Sequence, residues 1–206
     1  PLEDIKRVQE KFIAAAIRCK KAGYDGVELH GAHSYLIAQF FSKYYNRRTD
    51  AYGGSLENRC RFIDEIIAGI RAKLGRYPIS VRICGDEMTD EPGFLTLEDG
   101  WRSAATWRPR ASTASTFPMA APGTATQLRA LLLHPRLEEA RGQGLKEALS
   151  IPVIATNTIK DPDSPNLCWR RRQRLRGLGR SQFADRSHEQ GQGGKPESIR
   201  KCIGCM

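Results

Sequence analysis

Two histidines stand three residues apart in "GVELHGAHSY", His30 and His33, with Tyr35 two positions further on. Neutral or cationic imidazoles can donate hydrogen bonds to an oxygen that gains negative charge during a reaction. A phenol close by can supply a proton as a general acid. The same residue types at the same spacing also suit a pair of structural histidines capping a loop, and H-x-x-H alone does not separate the two. A second candidate is Arg82 in "ISVRIC", a fixed cation at a strand end, which alone reads equally as an ion pair at a rim. A third is the closing "KCIGCM", where Cys202 and Cys205 form a C-x-x-C pair suited to metal or redox chemistry.

The elements that position these residues follow from the apolar spacing. Ile5, Val8, Phe12, Ala15 and Ala16 recur at helical intervals, which predicts an amphipathic helix over 3–22 stopped by Gly23. "YDGVELHG" predicts a short strand with a buried middle. Residues 43–54 are polar, end in Gly-Gly and predict a loop. Ser55 is placed to cap a helix whose stripe is Phe62, Ile63, Ile66, Ile67 and Ile70. "PISVRICG" predicts a second strand, and "GFLTLEDG" the start of a further helical segment. This alternation is that of an α/β fold with a parallel sheet. Chemistry-bearing residues at strand ends suit a barrel with its site on the C-terminal face, although periodicity alone does not separate a barrel from a doubly wound sheet.

Composition bounds the rest. The 206 residues suffice for one ordinary domain, and no apolar run is long enough for a transmembrane helix. The N-terminus shows no signal pattern and opens mid-helix without Met, so a piece of a longer chain is expected. The net charge is +10, yet residues 1–100 carry 15 Lys+Arg against 15 Asp+Glu, and residues 101–206 carry 18 against 8. The excess is mostly arginine, concentrated in "CWRRRQRLRGLGR". A basic tail that binds nucleic acid is one reading of it, but there is charge only and no nucleic-acid-binding motif. Six cysteines without a signal pattern fit a reducing cytoplasm better than a disulfide framework.

From residue 101 the texture changes. Residues 101–144, 164–176 and 186–194 are rich in Arg, Ala, Ser, Thr and Pro, lack a usable period, and contain Trp101, Trp107 and Trp169. Order returns at 145–163, a helix end followed by an apolar strand. Such switches fit either basic disordered inserts or stretches read out of frame, and tryptophan and cysteine within arginine runs favour the second.

The block "GYDGVELHGAHSYLIAQFFSKYYNRRTDAYGGSLENRCRFIDEII" resembles the old yellow enzyme family, and within it the branch of 2-enoate reductases and 2,4-dienoyl-CoA reductases. The likeness runs over 1–100 and resumes at 145–163, 177–185 and 195–206. It implies a (β/α)8 barrel, present here as about strands four to eight over residues 1–194, and the start of an iron–sulfur segment over 195–206. The resemblance implies FMN as cofactor, His30 and His33 as substrate anchors, and Tyr35 as proton donor. The family usually has Gly where Ser34 stands. Arg82 matches an arginine at the flavin's pyrimidine edge, and Asn157, Gly179 and Arg180 match positions that bind the FMN phosphate, with Asn157 replacing a common Gly. Cys202 and Cys205 match the first two ligands of a 4Fe–4S cluster. The "NRRTDAYGG" loop, with Asn46, Arg47, Arg48, Asp50, Tyr52 and Gly54, is expected to shape the site's rim through structure rather than catalysis. The implied activity is NADH-dependent reduction of the C=C bond of a 2-enoate, with FAD held beyond this chain. The alternatives are reduction of a 2,4-dienoyl-CoA or of a bile-acid-type steroid on the same scaffold. The expected partner is a small enoate or enoyl molecule, with no nucleic acid and no membrane, in a homo-oligomer.

Overall fold

The computed structural model describes residues 1–84 and 92–94 in full and the strands at 113–117, 153–156 and 175–177. The order is α1 (Leu2–Lys21), β1 (Val27–Gly31), α2 (Leu36–Phe41), α3 (Leu56–Leu74), β2 (Ile79–Cys84), β3 (Thr113–Phe117), β4 (Val153–Thr156) and β5 (Leu175–Gly177). The five strands form one sheet in the order β1-β2-β3-β4-β5, and every neighbouring pair is parallel. Parallel neighbours need a crossover between them, which makes this an α/β fold. Among the described strands the order does not reverse, so they show no switch point of the doubly wound kind.

The helices form where the apolar spacing places them. α1 carries Glu3 and Asp4 in its first turn and Arg18, Lys20 and Lys21 in its last, which complements the helix dipole at both ends. Gly23, at φ 90°, then turns the chain toward β1. Ser55 caps α3, its hydroxyl accepting from the Asn58 N–H at 3.2 Å. All five residues of the expected α3 stripe are buried, and they pack with Leu29 of β1 and Ile79, Val81 and Ile83 of β2 in one core. Burying a side chain of this size stabilises the fold by about 1.5–3 kcal/mol. Phe62 stacks on Phe40 at 4.2 Å and meets Phe12 edge-on at 6.3 Å, which joins α1, α2 and α3.

Period-two alternation divides β1 and β2 into two faces. Leu29, Ile79, Val81 and Ile83 belong to the helix-covered core, while Glu28, His30, Ser80 and Arg82 alternate with them and are half-buried or exposed. Register pairs Glu28 with Ser80 and His30 with Arg82. The polar face is therefore continuous across the two strands.

Two elements differ from the sequence-based expectation, α2 and β5. α2 was not anticipated; it buries Ile37, Ala38 and Phe41 directly after the histidine segment. β3 lies inside 101–144, where the family resemblance calls for a barrel strand although no periodicity marks it, and it pairs with both β2 and β4. β5 begins at Leu175, within the arginine-rich stretch and two residues before the expected "GLGRSQFAD". The apolar strand expected in 145–163 is β4. Of "GFLTLEDG", only Gly93 and Phe94 are among the described residues. No helix among the described residues is long and apolar enough to cross a membrane.

Candidate active site

β1 ends at Gly31 in a space that admits no side chain. A Cβ there would meet the Arg82 carbonyl oxygen at 2.9 Å, Ile37 Cγ2 at 3.1 Å and Phe41 Cε2 at 3.2 Å. The strand end is thus pressed between β2 and α2. Beyond it the chain turns through two left-handed residues, His33 at φ 59° and Ser34 at φ 53°. Non-glycine residues adopt this region at a cost, and their presence together marks a loop held by its surroundings. α2 supplies that hold: Tyr35 is its N-cap residue, Gln39 N–H donates to the Tyr35 carbonyl at 2.9 Å, and Gln39 Nε2 donates to the Ser34 carbonyl at 2.7 Å.

The turn folds His33 back onto His30. His33 Nδ1 lies 3.0 Å from His30 Nε2, and the rings meet edge to face with centroids 4.8 Å apart. Tyr35 completes a cluster, its ring 5.4 Å from His30 and 6.4 Å from His33. The phenol is 61% exposed and so stands open to a ligand. Arg82, opposite His30 on β2, pairs through Nε with Glu28 Oε1 at 2.8 Å.

Electrostatics keep the imidazoles neutral. The pKa of His30 is lowered by burial and then by the Arg82 charge, with Glu28 acting in the opposite direction. That of His33 is lowered by burial, by His30 and by Arg82. Between two neutral rings in contact, one nitrogen donates and the other accepts. One N–H of the pair then remains beyond this contact, on the accepting ring, and a second forms only when the donating ring gains a proton.

Four sequence-predicted site residues, His30, His33, Tyr35 and Arg82, are thus brought together. Asn157, Gly179, Arg180, Cys202 and Cys205 lie outside the described residues. The "NRRTDAYGG" loop is braced internally: Asn46 Nδ2 donates to the carbonyls of Phe40 and Tyr52, and Arg48 Nε donates to Asp50 at 3.0 Å. Tyr52 Oη donates to Glu65 at 2.7 Å. These contacts give the loop a structural part. Sequence reasoning passed over Glu28 and Ser80. The signal was available, because a residue two before His30 on a strand shares its face.

A parallel sheet that sets a histidine pair, a phenol and an arginine at its strand ends has the layout of an α/β scaffold with a strand-end site. Residues 2–190 match the model of the NADH:flavin oxidoreductase / NADH oxidase family, and the chain belongs to that family; it is the group also known as the old yellow enzyme family. The chain is 37% identical to an NADH oxidase of Thermoanaerobacter brockii over 99% of its own length and 32% of that protein's. It is 35% identical to a metal reductase of Desulforamulus reducens, over 98% of this chain and 30% of that one. Among solved structures, a 2-naphthoyl-CoA reductase in complex with 2-naphthoyl-CoA superposes with a TM-score of 0.83 at 29% identity, covering 98% of this chain and 31% of that one. The chain therefore spans about a third of the length of these relatives. The family match takes in the arginine-rich stretch that carries the excess charge.

Proposed function

We propose that this chain carries the flavin- and substrate-binding part of an NADH-dependent oxidoreductase that reduces the activated C=C bond of a 2-enoate. The observation that carries the reading is the convergence of His30, His33 and Tyr35 at the end of β1, with Arg82 opposite on β2. The five strands are read as strands four to eight of a (β/α)8 barrel. Their sequential parallel order and the polar face of β1 and β2, which no described helix covers, support this. The polar face also fits FMN: Arg82 places a cation at a strand end, where it would stabilise negative charge on the flavin's pyrimidine edge. Asn157, Gly179 and Arg180 are proposed as the phosphate-binding positions. Bound FMN would supply the hydride that adds to the β-carbon.

The chain's own residues would do the rest. His30 and His33 hold the carbonyl or carboxylate oxygen of the enoate and stabilise the charge that collects there. Tyr35 delivers the proton to the α-carbon, so that one C=C bond becomes two C–H bonds for each hydride and proton consumed. Cys202 and Cys205 are proposed as two ligands of a 4Fe–4S cluster, since thiolates suit such clusters. NADH is proposed as the electron donor and FAD as a further cofactor held by residues other than these. A cytoplasmic setting and a homo-oligomeric state belong to the same proposal.

The experiment is anaerobic reduction of the flavin-loaded protein with NADH, followed by mixing with a 2-enoate. Return of the oxidised flavin absorbance supports the reading, and Tyr35→Phe should slow that return while leaving reduction by NADH intact. A flavin that stays reduced in the presence of enoate refutes it. The likeness to 2-naphthoyl-CoA reductase favours a second reading, with an acyl-CoA thioester in place of the free acid. Offering the same acid free and as its thioester separates the two.

A further inference from the structure

The polar face of β1 and β2 holds an acid that the proposed chemistry does not use. Glu28 lies opposite Ser80, and Arg82 lies opposite His30, so Glu28 reaches Arg82 diagonally across the strand pair. Its Oε1 is 2.8 Å from Arg82 Nε, and its Oε2 accepts from Ser80 Oγ at 3.2 Å. The two side chains are about a third exposed, at 33% for Arg82 and 35% for Glu28. An ion pair this open to water contributes little to stability. Its larger consequence is geometric. The carboxylate holds the guanidinium beside it by charge, through a close ion-pair contact at Nε, and Ser80 in turn holds the carboxylate.

We infer that Glu28 is a positioning residue of this site: anchored by Ser80, it fixes the Arg82 guanidinium opposite His30 at the mouth of the sheet. The inference rests on the flavin reading only for what Arg82 does to a flavin; the effect on His30 stands without it. Among the described residues, the charged and titratable groups around His30 are Glu28 on its own strand, Arg82 on β2, and His33 and Tyr35 on the following turn. Arg82 acts on His30 and His33 alike, whereas Glu28 opposes it at His30 alone. Glu28 therefore sets both where the cation sits and how strongly His30 feels it.

The test is a double-mutant cycle between Glu28→Ala and Arg82→Met, with Glu28→Gln as a variant that keeps the size and the Ser80 contact. In the flavin-loaded protein, Glu28→Ala should slow reoxidation of reduced flavin by enoate about ten- to a hundredfold. It should add nothing further in the Arg82→Met background, and Glu28→Gln should recover part of the loss. In the flavin-free protein, nuclear magnetic resonance follows the titration of His30. Glu28→Ala should move it by one amount when Arg82 is present and by a different amount when Arg82 is Met. Equal His30 shifts in both backgrounds, or kinetic losses that simply add, overturn the inference. If no flavin binds, the proposed function fails, and the His30 titration still decides the role of Glu28.

Discussion

Replacing Ser34 with glycine should stabilise the protein, and the size of the gain follows from two features of that position. Its backbone sits at φ 53°, where a Cβ costs about 1–2 kcal/mol. Its hydroxyl oxygen is buried and has no hydrogen-bond partner among the described residues, and an orphaned polar group of this kind costs about 1–3 kcal/mol. Glycine removes both terms and gives back about 0.5–1 kcal/mol through the greater freedom of the unfolded chain. A net gain of about 1 kcal/mol or more is expected, which for a chain of this length raises Tm by about 2–4 °C. Ser34→Ala removes only the hydroxyl and should fall between the two. Ser34→Val, β-branched at a positive φ, should drop below the parent by about 1 kcal/mol or more. Thermal and denaturant unfolding of the four proteins should rank them Gly, Ala, Ser, Val. A glycine variant no more stable than the parent, or a valine variant equal to it, would show that the turn is not held in the left-handed region.

Arg59 is 2% exposed and donates to the carbonyls of Phe41 and Gly54, so Arg59→Leu should cost about 3–5 kcal/mol in denaturant unfolding by leaving the C-terminus of α2 without its donor. A Cβ on Gly53 would land on the Arg48 carbonyl, backbone that cannot yield as a side chain would; Gly53→Ala should therefore destabilise by about 1–3 kcal/mol and loosen the "NRRTDAYGG" loop, read as faster amide exchange there. His30 and His33 both have folded pKa values below their ordinary 6.5. Their contribution to stability is thus present above about pH 6.5 and is lost as pH falls through the folded values. The urea midpoint should fall between pH 7.5 and 5.5, and a His30→Gln/His33→Gln double variant should flatten that dependence.

Much of this arrangement could be read from the chain because it is local. α1, α3, the Ser55 cap and the alternation in β1 and β2 depend on neighbours within a few residues, and the five-residue stripe of α3 is buried as its spacing implies. α2 escaped because "LIAQFF" is six residues of nearly unbroken apolar character, too short for a helical period to show. A strand within 101–144 was expected from the resemblance alone, and the exact positions of β3 and β5 escaped for a different reason: "TASTF" and "LRG" carry no alternation, and their place comes from pairing with the strands beside them. At the site, the residue types were legible and the geometry was not. The spacing of His30 and His33 did not predict a 3.0 Å contact, which requires left-handed backbone at His33 and Ser34. Nor did it show Glu28 reaching Arg82, which depends on the register of β1 against β2.

That register also explains why the chemistry collects where it does. One face of β1 and β2 is committed to α1 and α3 by Leu29, Ile79, Val81 and Ile83. The other carries Glu28, His30, Ser80 and Arg82, groups that a second helical layer could bury only at the cost of stripping water from two charges and an imidazole. A doubly wound sheet needs apolar residues on both faces of its strands, and these two strands have them on one. The polar face must instead look onto water, a ligand, or other polar groups across a closed sheet. At its strand ends stand the histidines and arginine, where the turn through His33 and Ser34 and the short helix behind it leave Tyr35 exposed beside them. The same alternation that builds the core on one side therefore gathers the polar groups on the other. A single apolar replacement such as Arg82→Leu should leave the helix-facing core intact while removing the cation from the site.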